Sequence, residues 1–174
     1  MAKKQSLLKF LNELEKEELI EEIEKLCTKF DVVKKYFEIE LSGDATRYVT
    51  SAKKEIGKQF YFSNGNPRTN PKASKLNAII KEFERVSIYK ADVIELLLYR
   101  IEQTIAYAKD VRNISEALYS STMIAIDRVL QLIEAEGAEA KYAGRTVDFD
   151  NRWWRYGYPK DWEPRGYSEF DRDY

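Results

Sequence analysis

The sequence predicts an all-α protein, an irregular bundle of about six helices followed by an extended aromatic tail. Apolar residues recur at three- and four-residue steps through most of residues 1–150, which is the spacing of amphipathic helices. No stretch shows the sustained two-residue alternation of a half-buried strand. Charged residues make up 34% and apolar residues 44% of the 174-residue chain, as is usual for a globular domain. We therefore expect one helical domain over residues 1–150 and a tail over residues 151–174.

Short amphipathic helices are predicted in the N-terminal region. Ser6 is a suitable N-cap for the first helix, in which leucines follow at helical spacing. The next segment, KEELIEEIEKLCTKF, has an apolar side that we expect to face the core, formed by Leu19, Ile20, Ile23, Leu26, Cys27 and Phe30. Cys27 is the only cysteine, so intramolecular disulfides are excluded and a small buried hydrophobe is expected there. Asp31 is predicted to cap a further helix, VVKKYFEIEL, which ends at Ser42–Asp44.

Longer helical segments follow. A helix in ATRYVTSAKKEIGKQFYF precedes the loop Ser63–Pro71, which is rich in helix breakers. After this loop come KASKLNAIIKEFERV and ADVIELLLYRIEQTIAYAKDV, and the second of these is apolar over much of its circumference. It is therefore predicted to be the central buried helix. The segment ISEALYSSTMIAIDRVLQLIEAEG ends at Gly137, a common C-terminal stop, and AEAKYAGRTVDFD leads into the tail.

The composition argues against an enzyme. The chain has no histidine, which removes Ser-His and Cys-His nucleophiles and the commonest general base. One cysteine without histidine cannot complete a tetrahedral zinc site, and the scattered glycines form no phosphate-binding loop. The glutamates between residues 13 and 24 are interleaved with lysines, as on a solvated helix face. We expect no enzymatic activity, no cofactor and no metal.

The sequence also predicts a protein that does not enter a membrane. No run approaches the roughly 18 to 20 consecutive apolar residues that span a bilayer. The N-terminal apolar patch is interrupted by charged residues, and no small-residue cleavage site follows it. We expect a cytoplasmic protein.

Residues 44–75 form a locally basic segment. Its seven basic residues, against two acidic ones, are Arg47, Lys53, Lys54, Lys58, Arg68, Lys72 and Lys75. Aromatic residues lie beside them, and a basic surface with aromatics is one form that a nucleic-acid contact takes. The alternative is that the segment docks on an acidic face or is solvated, since the whole chain has a net charge of −1.

The C-terminal tail concentrates the aromatic residues. It holds all three tryptophans, and Pro159 and Pro164 prevent a continuous helix, so an extended or turned segment is expected. Its rings either fill grooves of the bundle or anchor another protein, because Trp, Tyr and Arg dominate binding hot spots. A third possibility is stacking on single-stranded bases. The candidate partner-binding residues are Trp153, Trp154, Tyr156, Tyr158, Trp162 and Tyr167.

Two stretches carry a resemblance to a known family. The pattern from Ser6 to Phe37, SLLKFLNELEKEELIEEIEKLCTKFDVVKKYF, and the later RVLQLIEAEG, Arg128 to Gly137, resemble an uncharacterised family of small bacterial all-helical proteins. The resemblance implies a helical cytoplasmic protein and carries over no functional residue. The chain is expected to depart from this family at its aromatic C-terminus.

These observations lead to two functional hypotheses. The first is a non-enzymatic adaptor or regulatory protein, bacterial or from phage, that binds another protein or itself through the aromatic tail and the adjacent bundle face. The second is a nucleic-acid-associated accessory protein that uses the basic residues of segment 44–75.

Overall fold

The computed structural model describes residues 2–87, 89–111, 113–147, 149 and 153, and of residues 2–5 only the backbone. These residues form eight helices and no strand: α1 (Ala2–Glu13), α2 (Lys16–Lys29), α3 (Asp31–Ser42), α4 (Thr46–Phe60), α5 (Ala73–Glu84), α6 (Lys90–Val111), α7 (Glu116–Ala135) and α8 (Glu139–Thr146). One isolated antiparallel bridge joins Tyr61 to Pro67 in the loop after α4. The all-α prediction is confirmed, with eight described helices in place of about six.

Two local breaks divide the N-terminal region into three helices. At Glu15 the backbone is extended, and its N–H donates to the Glu18 side chain at 2.8 Å, which starts α2. Phe30 is also extended and separates α2 from α3. It is the N-cap of α3, so the prediction that Asp31 is the cap is wrong and Asp31 is the first residue of the helix. Ser6 lies inside α1 rather than at its N-cap, because the preceding Ala2–Gln5 are good helix formers and the helix already begins there.

Helix α6 is the centre of the bundle, as its sequence predicts. Its 22 residues pack against α4, α5 and α7. Leu96, Leu98 and Ile101 have no exposed surface, so the helix is covered around much of its circumference. None of the described helices is both long and apolar enough to cross a lipid bilayer.

Helix α7 is bounded by specific capping residues. The Ser115 hydroxyl accepts a hydrogen bond from the Leu118 N–H at 3.3 Å and so caps the N-terminus. Gly137 follows the C-terminus with a φ of +58°, a left-handed conformation that costs glycine little. The predicted stop at Gly137 is therefore confirmed.

The C-terminal part of the described chain returns to the bundle. Arg145 of α8 donates to Glu102 at 2.7 Å and to Glu95 at 2.9 Å, both on α6. Beyond α8, Phe149 is 2% exposed and Trp153 is 0% exposed. Trp153 has helical backbone conformation, where we predicted an extended or turned segment from residue 151 onward. The rest of the predicted tail, residues 151, 152 and 154–174, lies outside the described residues.

Candidate protein-interaction surface

The first two helices leave a set of large apolar side chains in contact with solvent. Seven residues in this region are each between 41% and 55% exposed, and they are termed here the N-terminal apolar surface: Leu7, Leu8, Phe10, Ile20, Ile23, Leu26 and Phe30. Ile20, Ile23 and Leu26 on α2 and Phe30 at its C-cap follow one another at three- and four-residue steps, so they lie on one side of the helix. Exposed apolar sets of this kind on soluble proteins mark interaction sites.

This surface stays open because little of the chain packs against it. Helix α2 has no buried residue and packs mainly on α3. Helix α1 makes no extensive contact with any other helix among the described residues. Our prediction that the apolar side of KEELIEEIEKLCTKF faces the core is therefore wrong for Ile20, Ile23, Leu26 and Phe30, while Cys27 is half-buried rather than buried. Helical periodicity shows that a helix has an apolar side, but not what covers that side.

Other exposed apolar residues do not form a comparable set. Leu41 lies on α3, Ile124 and Leu130 on α7, and Val147 after α8. Isolated exposed apolar side chains are normal on a folded protein and require no partner. The concentration on α1 and α2 is what distinguishes the N-terminal apolar surface.

The polar sides of α2 are predominantly acidic. This helix carries five glutamates and three lysines. Lys25 pairs with Glu22 at 2.7 Å and lies 4.0 Å from Glu21, and the hydrogen bond with Glu22 raises the pKa of Lys25. No group of three or more His, Cys, Asp or Glu side chains in the described chain is arranged to share a metal ion. The excess negative charge is therefore available at the edges of the N-terminal apolar surface.

Four of the seven predicted nucleic-acid residues interact within the chain. Arg47 pairs with Glu38 at 2.8 Å, and Lys58 pairs with Glu55 at 2.6 Å. Lys53 is turned toward α6, where its ammonium lies 3.5 Å from Glu95. The Arg68 guanidinium lies 4.2 Å from the centre of the Phe62 ring. The three ion pairs fit the alternative expectation for the basic segment, that it docks on acidic groups of its own chain.

The other three basic residues remain exposed. Lys54, Lys72 and Lys75 form no ion pair with any residue that the structure describes. The neighbouring tyrosines are engaged, since the Tyr48 hydroxyl donates to Glu38 and the Tyr61 hydroxyl donates to Asp110 at 2.8 Å. The structure therefore brings no continuous row of basic and free aromatic side chains together in segment 44–75.

Trp153 is the one predicted tail residue that the structure describes in full. Its ring is stacked on the Tyr119 ring of α7, with centroids 5.3 Å apart and planes 18° from parallel. Because it is completely buried, this ring is not presented to a partner. The other tail candidates, Trp154, Tyr156, Tyr158, Trp162 and Tyr167, lie outside the described residues.

Sequence reasoning missed a buried arginine in the core. Arg100 of α6 is 3% exposed and donates to Asn77 on α5 at 2.7 Å and to the Ser121 hydroxyl on α7 at 2.5 Å. Burial lowers the pKa of Arg100 to about 10, with a further contribution from the nearby charge of Arg128. Arg100 lies four residues after Leu96 and four before Thr104, so the three residues share one side of α6. The sequence alone shows this spacing.

A second missed feature is the ion network that holds α8. Glu95 accepts from Arg145 and lies beside Lys53, so a single carboxylate connects α4, α6 and α8. The hydrogen bond with Glu102 is the largest contribution that raises the pKa of Arg145. No local pattern predicts this network, because the two partners of each ion pair are more than 40 residues apart in the sequence.

Comparison with known proteins places the chain in a family. A family model described as "Family of unknown function (DUF6155)" matches residues 1–172, so the chain belongs to this family. The expected membership of an uncharacterised family is confirmed. The match continues through the aromatic C-terminal segment, so the expected departure from the family there is wrong. No curated protein and no solved structure matches the chain.

Proposed function

We propose that this DUF6155 protein is a non-enzymatic adaptor or regulatory protein that binds a polypeptide through its N-terminal apolar surface. The observation that carries the proposal is the exposure of seven large apolar side chains on α1, on α2 and at the end of α2. The proposed contact therefore moves from the aromatic tail, where Trp153 is buried, to the opposite end of the sequence.

Burial of the N-terminal apolar surface against a partner is energetically favourable. Completely burying a Leu, Ile or Phe side chain contributes about 1.5–3 kcal/mol, so covering a half-exposed one contributes roughly 1 kcal/mol. A single such side chain does not offset the several kcal/mol that association costs in lost freedom. A set on two adjacent helices can offset it, which is why the residues matter together.

The chemistry of the surface supports one class of partner. An exposed apolar strip along a helix fits the apolar side of another amphipathic helix, with anchors at three- and four-residue steps. The glutamates of α2 flank this strip, so basic residues beside the partner's apolar side would be complementary. We therefore propose an amphipathic helix of positive net charge as the occupant.

Site-specific photo-crosslinking in the native host tests this proposal. A benzoyl-phenylalanine at position 23, on the N-terminal apolar surface, should give a crosslinked polypeptide adduct. The same group at position 124 is the matched control, because Ile124 is an equally apolar residue that is 67% exposed on α7. The proposal fails if position 23 gives no adduct, or if position 124 gives the same adduct in equal yield.

A nucleic-acid-associated function is the second candidate, and it rests on Lys54, Lys72 and Lys75. These lysines are exposed and form no ion pair within the described chain. Filter retention of single-stranded nucleic acid that weakens with salt, and is lost when all three become alanine, would support this candidate. No retention at low salt would remove it.

A further inference from the structure

We infer that the polypeptide that covers the N-terminal apolar surface is a second copy of this chain. In this arrangement α1 of each copy packs on α2 of the other, and these four helices form an intermolecular bundle. The inference rests on the proposed function, since it names the partner of the same surface.

The charges of the two helices are complementary. Helix α1 carries three lysines and one glutamate, a net charge of +2. Helix α2 carries three lysines and five glutamates, a net charge of −2. Helix α1 is therefore an amphipathic helix of positive net charge, as the acidic edges of α2 require. Two copies of α2 facing each other would instead bring like charges together.

The apolar sides of both helices are open for this contact. Leu7, Leu8 and Phe10 on α1 are each at least half exposed, and Ile20 and Ile23 on α2 are also exposed. Since α1 makes no extensive contact with another helix of the described chain, its apolar side has little cover from those residues. An amphipathic helix this short is marginal alone in water and gains most of its stability from packing.

A two-fold arrangement covers all of these residues at once. In an isologous dimer, each copy offers α1 to its partner and receives the partner's α1 on α2. Both contacts are then identical, and no apolar helix side is left over to recruit a third copy. The product is a closed dimer rather than a chain of molecules.

The aromatic tail is a less suitable occupant on charge grounds. Residues 151–174 contain five basic and five acidic residues, so the tail has no net charge to complement the glutamates of α2. Helix α1, with its net charge of +2, is the better match.

A pair of charge-reversed variants tests the reciprocal contact. In the first variant, Lys3→Glu and Lys4→Glu change the net charge of α1 from +2 to −2, at positions four residues before Leu7 and Leu8. In the second variant, Glu22→Lys and Glu24→Lys change the net charge of α2 from −2 to +2. Glu22 lies four residues before Leu26, and Glu24 lies four residues after Ile20. The full chains are studied by sedimentation equilibrium, with circular dichroism to confirm that each remains helical. Glu134→Lys with Glu136→Lys, at the exposed C-terminus of α7 and its C-cap, is the matched control.

The expected results are specific to a reciprocal contact, in which α1 of each copy packs on α2 of the other. Wild type and the control should sediment at twice the 20.5 kDa chain mass, and each charge-reversed variant alone should be mostly monomeric. An equimolar mixture of the two should recover the dimer mass, because each α1 then meets an oppositely charged α2. If α1 instead covered α2 of the same chain, mixing the two variants would not restore that contact, because both helices within each chain would still carry charges of the same sign.

Three results of the sedimentation experiment would overturn the inference. They are a wild type that is monomeric at all concentrations, charge-reversed variants that still dimerise alone, and a mixture that stays monomeric. A monomer that dimerises only after deletion of residues 154–174 would identify the tail as the occupant instead. If the crosslinked adduct at position 23 contains a different polypeptide, the proposed function stands and the second-copy inference fails. If no adduct forms at all, the proposed function fails as well.

Discussion

Trp153 is a residue at which burial and hydrogen bonding work against each other. Its ring is completely buried and stacked on Tyr119, but its Nε1–H has no hydrogen-bond partner among the described residues. Burying an aromatic ring of this size stabilises the fold strongly, whereas an unpaired buried N–H costs about 1–3 kcal/mol.

Replacing Trp153 separates these two effects. Trp153→Ala removes the ring and leaves a cavity beside Tyr119, so the free energy of unfolding should fall by about 3–5 kcal/mol. Trp153→Phe keeps an aromatic ring and removes the unpaired N–H, so a loss of about 1 kcal/mol or less is expected. Urea denaturation measures both, with exposed Val147→Ala as a control that should change little. An alanine variant as stable as wild type would show that Trp153 does not belong to the core.

Tyr61 provides a prediction about alkaline pH. Burial, together with the hydrogen bond to Asp110, raises the pKa of Tyr61 to about 12, above the value of about 10 for an exposed tyrosine. The folded protein therefore keeps this proton at pH values where the unfolded chain has lost it. The stability that results is fully present below about pH 10 and is lost as the pH rises through about 12.

The Tyr61→Phe variant tests this linkage. Between about pH 10 and 12 it should lose less stability than wild type, because phenylalanine has no proton to release. The measurement is the urea midpoint across this range, with Tyr89→Phe as the control for an exposed tyrosine. An unchanged pH dependence in Tyr61→Phe would contradict the assignment.

At the scale of the elements, α2 and α6 differ strongly in the number of residues that they bury. Helix α6 has eleven buried residues, whereas α2 has none. Local opening requires less free energy where few apolar contacts are broken. In a dilute monomer, amides of α2 should therefore exchange hydrogen much faster than those of α6.

Hydrogen exchange at several protein concentrations tests both this difference in protection and the formation of the proposed dimer. Amides of α1 and α2 should become more protected as concentration rises, because the second copy covers these helices. Amides of α8, which is held within one chain by Arg145, serve as the control and should not respond to concentration. Equal protection of α1 and α2 at all concentrations would argue against cover by a second copy.

For the whole molecule, the sequence predicts the helices better than the surfaces. Helix α6 is predictable because apolar residues surround it, and Gly137 because few other residues adopt a left-handed conformation. The N-terminal apolar surface is not predictable, since the spacing of Ile20 and Ile23 is the same whether a core or a partner covers them. Likewise, Lys53 and Lys54 are adjacent, but only Lys53 meets Glu95, and that depends on where α6 lies.

The central claim is that the N-terminal apolar surface joins two copies of the chain. Sedimentation equilibrium of wild type, Ile23→Glu and Ile124→Glu tests it most directly, since both variants place a charge at an exposed isoleucine. We predict twice the 20.5 kDa chain mass for wild type and Ile124→Glu, and the single chain mass for Ile23→Glu. A monomeric wild type, or an Ile23→Glu variant that dimerises as strongly as wild type, would contradict the claim.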